Sequence, residues 1–443
     1  MLLRLLSIAA CVLLLAGDAV AELRVLDLGS MPDDQELAHL LWERAPTLVS
    51  ERARLAQTAA EAQRASLLPN PSLDASWSTI PLGETNPEGL ASPLTNVPAY
   101  QVGLTELLEI GKRGPRQLST RKLAHAAVFE AVESLRRLHL DLLATIARVA
   151  GSEQRIAALT DQVADAERLT TLAAQRASHG DVARLDEARA RLDEAKLRNL
   201  LLAERHRLGE ALLECGRLAG IRCEPFAQVA KAQAALAQLA LVPDAAIVRA
   251  AIETRPDLMS LQAQGEGYAA AASLARARRL PDPSLHVGYT LDQFQVSGNQ
   301  RHSLNVGMSM PLPLFERGQA ELAQALAARQ AAETERRLLS EQAGRDLDRL
   351  FAQAGALAKR QQAMRQEYLP LARTLVERLT LTVKAGGAPL PDLLLARRSL
   401  NELLTDSSEL DLSIVENALE IRRQSGAMPV PAPPALHARA LSP

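Results

Sequence analysis

The stretch Ser303–Ala325, SLNVGMSMPLPLFERGQAELAQA, decides how the rest of the chain is read. It opens as an alternating strand with Leu304, Val306, Met308 and Met310 on one face. It breaks at Pro311 and Pro313 and then enters a long helix rich in Ala, Glu and Arg. The same order occurs about 204 residues earlier, the mark of an internal repeat. Val102-Gly103-Leu104-Thr105 answers Val306-Gly307-Met308-Ser309, and Arg113-Gly114 answers Arg317-Gly318. Leu68-Pro69-Asn70-Pro71-Ser72-Leu73 likewise returns as Leu280-Pro281-Asp282-Pro283-Ser284-Leu285. The chain therefore reads as a duplicated helix–strand–strand–helix unit. The first repeat spans 22–218, a connecting loop (an equatorial region) 219–242, and the second repeat 243–426. A signal peptide occupies 1–21, and a Pro/Ala-rich tail at 427–443 has the composition of a disordered segment.

In the first repeat, Pro32-Asp33-Asp34 opens a helix that runs to about Leu68, with carboxylates suited to its N-terminus. Pro69 and Pro71 end it, and Leu73, Ala75, Trp77 and Thr79 alternate as a strand. The segment PLGETNPEGLASPLTNVP is too broken by Gly and Pro for regular structure, and a second strand returns from Tyr100 to about Ile110. From about Pro115 to Gly180 no strong breaker occurs. Apolar steps of three and four, and one of seven, through Leu135, Leu138, Leu142, Ile146, Val149 and Ile156 have coiled-coil spacing. A helix of roughly 60 residues would be about 90 Å long, more than a compact domain can house. Ser178-His179-Gly180-Asp181 makes a tight turn, and a return helix runs from Val182 to about Leu218.

The second repeat follows the same plan. A helix from Pro243-Asp244 reaches Leu280, and a strand carries Leu285, Val287, Tyr289 and Leu291. After the decisive strand, the helix from Gln319 should kink or loosen a turn at Pro370. Gly386-Gly387, with Pro389 and Pro391, forms a second tip before a helix that returns to about Gln424.

Composition narrows the class. Aromatic residues make up 2% of the 443 residues, too few for the core of a large globular enzyme, and the balance suits long helices. A formal net charge of −2 leaves no basic surface for nucleic acid, which is excluded as a partner. Arg4, the apolar run Leu5–Ala16 and Ala19-Val20-Ala21 read as a secretory signal cleaved after Ala21; lipid attachment at Cys11 is the alternative. Export leaves Cys215 and Cys223 in an oxidising compartment, either bridged or as two idle thiols.

The four strand segments, about 8–13 residues each, approach the 9–11 that cross an outer membrane. Five of the chain's eleven aromatics (Trp77, Tyr100, Tyr289, Phe294 and Phe315) lie in or beside them, as interfacial girdles require. A small soluble sheet buried on one face is the competing reading. Four strands cannot close a barrel and lipid forbids an open edge, so a membrane-spanning form must combine copies.

On these motifs the chain resembles TolC-like outer-membrane efflux factors, and within them the CzcC-like branch attached to heavy-metal exporters. The resemblance runs from about Leu37 to Gly426. It is carried by Glu109-Ile110-Gly111-Lys112-Arg113, Pro281–Tyr289 and Pro311–Arg317, and by the tips SHGDVARLDEARAR and KAGGAPLPDLLLARRSL. It implies a mainly α fold with a small β membrane part: long antiparallel coiled-coil helices plus four strands per protomer. A homotrimer would form a 12-stranded β-barrel in the lipid of the outer membrane and an α-helical tunnel across the periplasm. It would be a passive conduit, docked on a periplasmic adaptor (membrane fusion) protein and an inner-membrane resistance-nodulation-division pump driven by protons. The cargo implied is a heavy-metal cation such as cobalt, zinc or cadmium.

The resemblance makes the helical tips the functional regions. Asp392 matches a gate aspartate, for which a helix N-cap is the competing role. Leu395 stands where some members carry a second acid, and Ala388 near where some carry an arginine. His179, Gly180, Asp181, Gly386 and Gly387 are the adaptor-docking candidates, while Arg184, Asp186 and Asp181 also suit a solvated face and cap. No cofactor is expected. His39, His125, His139, His179, His206, His286, His302 and His437 form no metal-ligand spacing. Met308 and Met310 suit packing better than copper. No GxSxG, phosphate-loop or HExxH motif occurs, so an enzyme is not expected. The rival functions are a TolC-like channel for drug efflux or type I secretion, and a soluble periplasmic coiled-coil adaptor or scaffold.

Overall fold

The computed structural model describes residues 25–30, 32–83, 91–179, 183–293 and 300–426. The expected signal peptide, Cys11, the tail, Gly180, Asp181 and Phe294 lie outside the described residues. Two compact units are present. Among the described residues, one is drawn from 25–52, 130–256 and 339–426, the other from Ala53–Phe129 and Asp257–Leu338.

The first repeat begins with strand β1 (Leu26–Asp27) and helix α1 (Asp34–Arg44), whose N-cap Asp33 accepts the Glu36 N–H at 2.8 Å. The single helix expected from Pro32 to Leu68 is in fact broken. Ala45 is extended (φ −63°, ψ 125°) because the ring of Pro46 disfavours the α region in the residue before it; a short 3₁₀ turn follows, and then α2 (Val49–Ser66). The second repeat breaks in the same way. α6 (Ala245–Ala250) and a 3₁₀ turn stop at an extended Arg255, and α7 (Pro256–Ala277) restarts at the proline.

Strands β2 (Ser72–Ser78) and β3 (Ala99–Leu107) are joined by a segment that includes one helical turn, Pro93–Asn96. β3 ends three residues before the expected Ile110. The chain then runs without interruption through the 66-residue α3 (Arg113–Ser178) and returns as α4 (Arg184–Ala219). The expected connecting loop holds regular structure instead. β4 (Cys223–Glu224) pairs in parallel with β1, and α5 (Val229–Leu239) follows, burying Ala232, Leu236 and Leu239. Cys215 and Cys223 form a disulfide with Cα atoms 6.0 Å apart, tying the end of α4 to β4.

β5 (Ser284–Asp292) and β6 (His302–Ser309) complete one antiparallel sheet in the order β2-β3-β5-β6. α8 (Gln319–Ala363), α9 (Leu369–Lys384) and α10 (Leu390–Gln424) end the described chain. Between α8 and α9, Met364–Tyr368 forms a π turn. Pro370 has no N–H for the carbonyl four residues back, and the widened turn absorbs that loss.

The core of the first unit lies along α3. Leu135, Leu140, Leu142, Leu143, Ile146 and Val149 are fully buried, together with Leu37 and Leu41 of α1. Among them sits a buried ion pair, Arg136 Nε to Glu133 Oε2 at 2.8 Å. The same guanidinium donates to the Arg423 carbonyl at 3.0 Å and the Arg422 carbonyl at 3.3 Å, capping the end of α10.

Candidate functional site

The register of the sheet sorts its side chains into two faces. Trp77, Tyr100, Leu291 and His302 share a row, as do Ala75, Val102, Tyr289 and Leu304, and Leu73, Leu104, Val287 and Val306. All of these but His302, at the end of β6, are apolar or aromatic. The rows between them hold Ser76, Gln101, Thr290 and Ser303, then Asp74, Gly103, Gly288 and Asn305, then Ser72, Thr105, His286 and Gly307. Exposure is the reverse of a water-soluble sheet. Leu304 is 72% exposed, Val306 73% and Met308 68%, whereas Gln101, Thr105, His286 and Thr290 are half-buried. β2 and β6 form the two edges, with no further strand paired to either among the described residues. Trp77 and Tyr100 stack at one end of the apolar face, their centroids 6.4 Å apart.

The residues that carried the family resemblance build the strand–helix junction. Lys112 Nζ lies 2.7 Å from Asp282 Oδ2, and Asp282 Oδ1 accepts the Ile110 N–H at 3.0 Å. Burial opposes ionisation of Asp282, but the Lys112 ammonium and the Ile110 N–H outweigh it and hold the carboxyl below its usual range. Arg116 forks onto Glu109 and also donates to the Ala65 carbonyl at 3.1 Å, while Arg113 reaches the Ser66 carbonyl at 2.9 Å. The C-terminal carbonyls of α2 are thereby capped by the first turn of α3. In the second repeat, Gly318 has φ +73°, and a Cβ there would stand 2.6 Å from the Ala275 carbonyl oxygen. Only glycine fits that turn. Sequence reading quoted these residues without giving them a role. Their charges cluster within a few residues of a strand end in both repeats, and that was the available signal.

At the tips, α9 closes in a Schellman motif. Gly386 (φ +76°) donates to the Val383 carbonyl at 3.1 Å and Gly387 to the Thr382 carbonyl at 2.9 Å. Arg176 Nη2 reaches the Val383 carbonyl at 3.1 Å, and Leu169, Ala173, Ala190, Val383, Leu390 and Leu393 form the tip core. Asp392 is not an N-cap. The flanking residue is Pro389, and Asp392 lies inside the first turn of α10 with its side chain exposed, where a carboxylate suits the helix dipole. Leu395 is exposed and Ala388 packs against the tip core. His179 is exposed, its Nδ1 2.7 Å from the Gln175 carbonyl. Arg398 pairs with Asp193 at 2.6 Å, linking α10 to α4. Among the described residues no three His, Cys, Asp or Glu side chains gather to hold a metal ion, and no helix is long and apolar enough to cross a membrane.

Residues 247–427 match the outer membrane efflux protein family. The cobalt-zinc-cadmium resistance protein CzcC of Cupriavidus metallidurans is 26% identical over 297 residues, covering 66% of this chain and 68% of that protein. Among solved structures, the outer-membrane channel OprN superposes with a TM-score of 0.73 at 18% identity, over 91% of this chain and 92% of its own. CusC gives a TM-score of 0.73 at 16% identity, over 92% and 98%. These likenesses extend the match in the second repeat to the fold of nearly the whole chain. Sequence and fold together relate this chain to the outer membrane efflux proteins: residues 247–427 carry that family's pattern, and nearly the whole chain has the fold of the outer-membrane channels OprN and CusC.

Proposed function

We propose that this protein is the outer-membrane conduit of a tripartite, proton-driven efflux system that exports heavy-metal cations such as cobalt, zinc or cadmium. The observation that carries the channel reading is the inverted sheet: apolar rows exposed, the polar rows half-buried where they cross β3 and β5, and both edges open among the described residues. In water such a face costs free energy at about 25 cal/mol per Å² of apolar surface, a cost that hydrocarbon removes. Three copies would pair β6 of one chain with β2 of the next into twelve strands, with the apolar rows against outer-membrane lipid and the polar rows around a lumen. The repeats 22–218 and 243–426 would then each supply two strands and a helical hairpin to the protomer, and the tips would meet a periplasmic adaptor and, through it, an inner-membrane pump. The exposed Asp392, once per chain, would ring the tip opening and favour cations by Coulomb attraction. His179, Gly180, Asp181, Gly386 and Gly387 would form the docking rim.

The metal cargo is supported by the similarity to the cobalt-zinc-cadmium resistance protein CzcC. Fractionation tests the channel: heat-resistant trimers in outer-membrane pellets support it, and release by osmotic shock overturns it. Growth of a deletion strain on cobalt, zinc or cadmium tests the cargo. Unchanged metal tolerance alongside new antibiotic sensitivity would assign the channel to drugs instead.

A further inference from the structure

The polar face of the sheet carries a side-chain relay across three strands. Thr105 Oγ1 on β3 donates to Asp74 Oδ2 on β2 at 2.5 Å and lies 3.1 Å from His286 Nδ1 on β5. A threonine hydroxyl has one proton, and an ionised carboxylate can only accept. With that proton directed at Asp74, the hydroxyl oxygen can meet the imidazole only as an acceptor. In its neutral form His286 therefore carries its own proton on Nδ1 and leaves the Nε2 lone pair as an acceptor, met only by the Gln101 amide at 3.4 Å. This is how a metal-binding histidine is oriented: a carboxylate, here through a hydroxyl, fixes the tautomer and the direction in which the other nitrogen points.

The backbone is shaped to this ring. Gly103 and Gly288 are register partners, and both lie beneath the imidazole. A Cβ at Gly103 would overlap His286 Cε1, and one at Gly288 would stand 2.7 Å from Nε2. On the other flank, a Cβ at Gly307 would meet nothing within 4 Å, so the ring is open on that side. The His286 side chain remains 27% exposed. The Gln101 amide lies 3.4 Å from Nε2, and turning it over would present a carbonyl oxygen there as a second donor.

We propose that His286 Nε2, with Gln101 beside it and Asp74 and Thr105 as positioning residues, is an exchangeable coordination point for a late transition-metal dication on the polar face of the sheet. This rests on the cation-conduit reading, in which that face lines the pore. One imidazole, one amide oxygen and waters bind weakly, as conduction requires: favourable enough to enter, loose enough to leave. Imidazole selects zinc, cobalt or copper over the hard cations magnesium and calcium.

The test is residue-resolved. The full-length protein, extracted in detergent, is treated with diethyl pyrocarbonate, and carbethoxylation of His286 is followed by peptide mass spectrometry with zinc or magnesium present. Zinc at millimolar concentration should slow the modification of His286 at least tenfold, on the order expected of an oriented ligand, while magnesium leaves it unchanged. Asp74→Asn and Thr105→Val should each raise the zinc needed about 10–100-fold. No protection by zinc in the wild type overturns the proposal, as does equal protection by magnesium. Protection unaltered in both variants overturns the relay. Planar-bilayer conductance on the same material separates the two readings. Conductance without protection removes the site and keeps the channel, and protection without conductance keeps the site and removes the conduit.

Discussion

Two stretches with similar apolar content use it in opposite ways. Along α3, Leu135, Leu140, Leu142 and Ile146 have no exposed surface, and the charges among them, Glu133 and Arg136, are buried as a pair. Along β5 and β6, Val287, Tyr289, Leu304 and Val306 are 47–73% exposed, and the polar residues other than His302 turn the other way. The first obeys the rule for water: apolar groups inside, buried charge only with a partner. The second obeys the rule for lipid. One chain is thus written for two solvents, and substitutions that respect one rule should violate the other.

The largest effect belongs to the region built for water. Arg136→Ala removes the buried counter-charge of Glu133 and the donor to the Arg422 and Arg423 carbonyls, leaving the buried carboxylate with only the exposed Arg137 guanidinium, 2.7 Å from its Oε1. The expected loss is about 3–5 kcal/mol. It would be read as a shift of the denaturant midpoint followed by a probe in the long helices. The double variant Arg136→Met/Glu133→Leu should lose far less. If it does not, the pair is more than compensated charge.

Next comes the region built for lipid. Val287→Arg puts a charge in the middle of the exposed apolar face and should cost about 2–4 kcal/mol of membrane stability. Ser303→Lys, on the polar face, should cost under about 1 kcal/mol on the same scale. Amounts of each variant in outer-membrane fractions check this. Equal amounts would mean that lipid does not touch the apolar rows, and the contrast would collapse.

A third effect concerns the bridge between Cys215 and Cys223, which holds β4 where β1 pairs with it. Cross-linking so short a loop contributes about 2–3 kcal/mol by the chain-entropy account. Cys215→Ser/Cys223→Ser should lower the unfolding midpoint accordingly and leave the sheet's behaviour in membrane fractions unchanged.

These contrasts also separate what was legible in the sequence from what was not. Period-2 alternation and steps of three and four reflect local geometry, so the strands and the uninterrupted α3 could be read directly. The breaks before Pro46 and Pro256 were legible too, since proline constrains its neighbour whatever the tertiary context; the amphipathic run around each simply drew more weight. α5 lay in a short Ala/Leu segment, where periodicity has few turns in which to show itself. The junction could not be read that way. Lys112 and Asp282 are 170 residues apart in the chain, and only the duplication brings their strands into register. The relay on the polar face has the same origin. Asp74, Thr105 and His286 look like ordinary polar positions until three strands are aligned.

The smallest prediction sharpens the water-obeying half through pH. His139 is fully buried, and its Nε2 lies 3.4 Å from Asp34 Oδ1 at the start of α1. The nearby His139 imidazole holds the Asp34 carboxyl below its usual value of 3.8, against the effect of burial and with help from the charge on Arg422. A depressed carboxyl stabilises the fold above its unfolded value and loses that contribution as pH falls through the folded one, so α1 should loosen below about pH 4. Glu153 has the opposite sign. Burial raises its pKa above 4.5 despite the N–H of Phe226, so its contribution is present at low pH and is lost as pH rises above about 4.5. The two windows do not overlap, and stability in the first unit should peak shallowly between them. Hydrogen exchange of α1 reads the acid side. Asp34→Asn should flatten the loss below pH 4, and Glu153→Gln should flatten the loss above 4.5. An acid limb that survives Asp34→Asn would move its origin to other carboxylates and leave α1 held by its buried leucines alone.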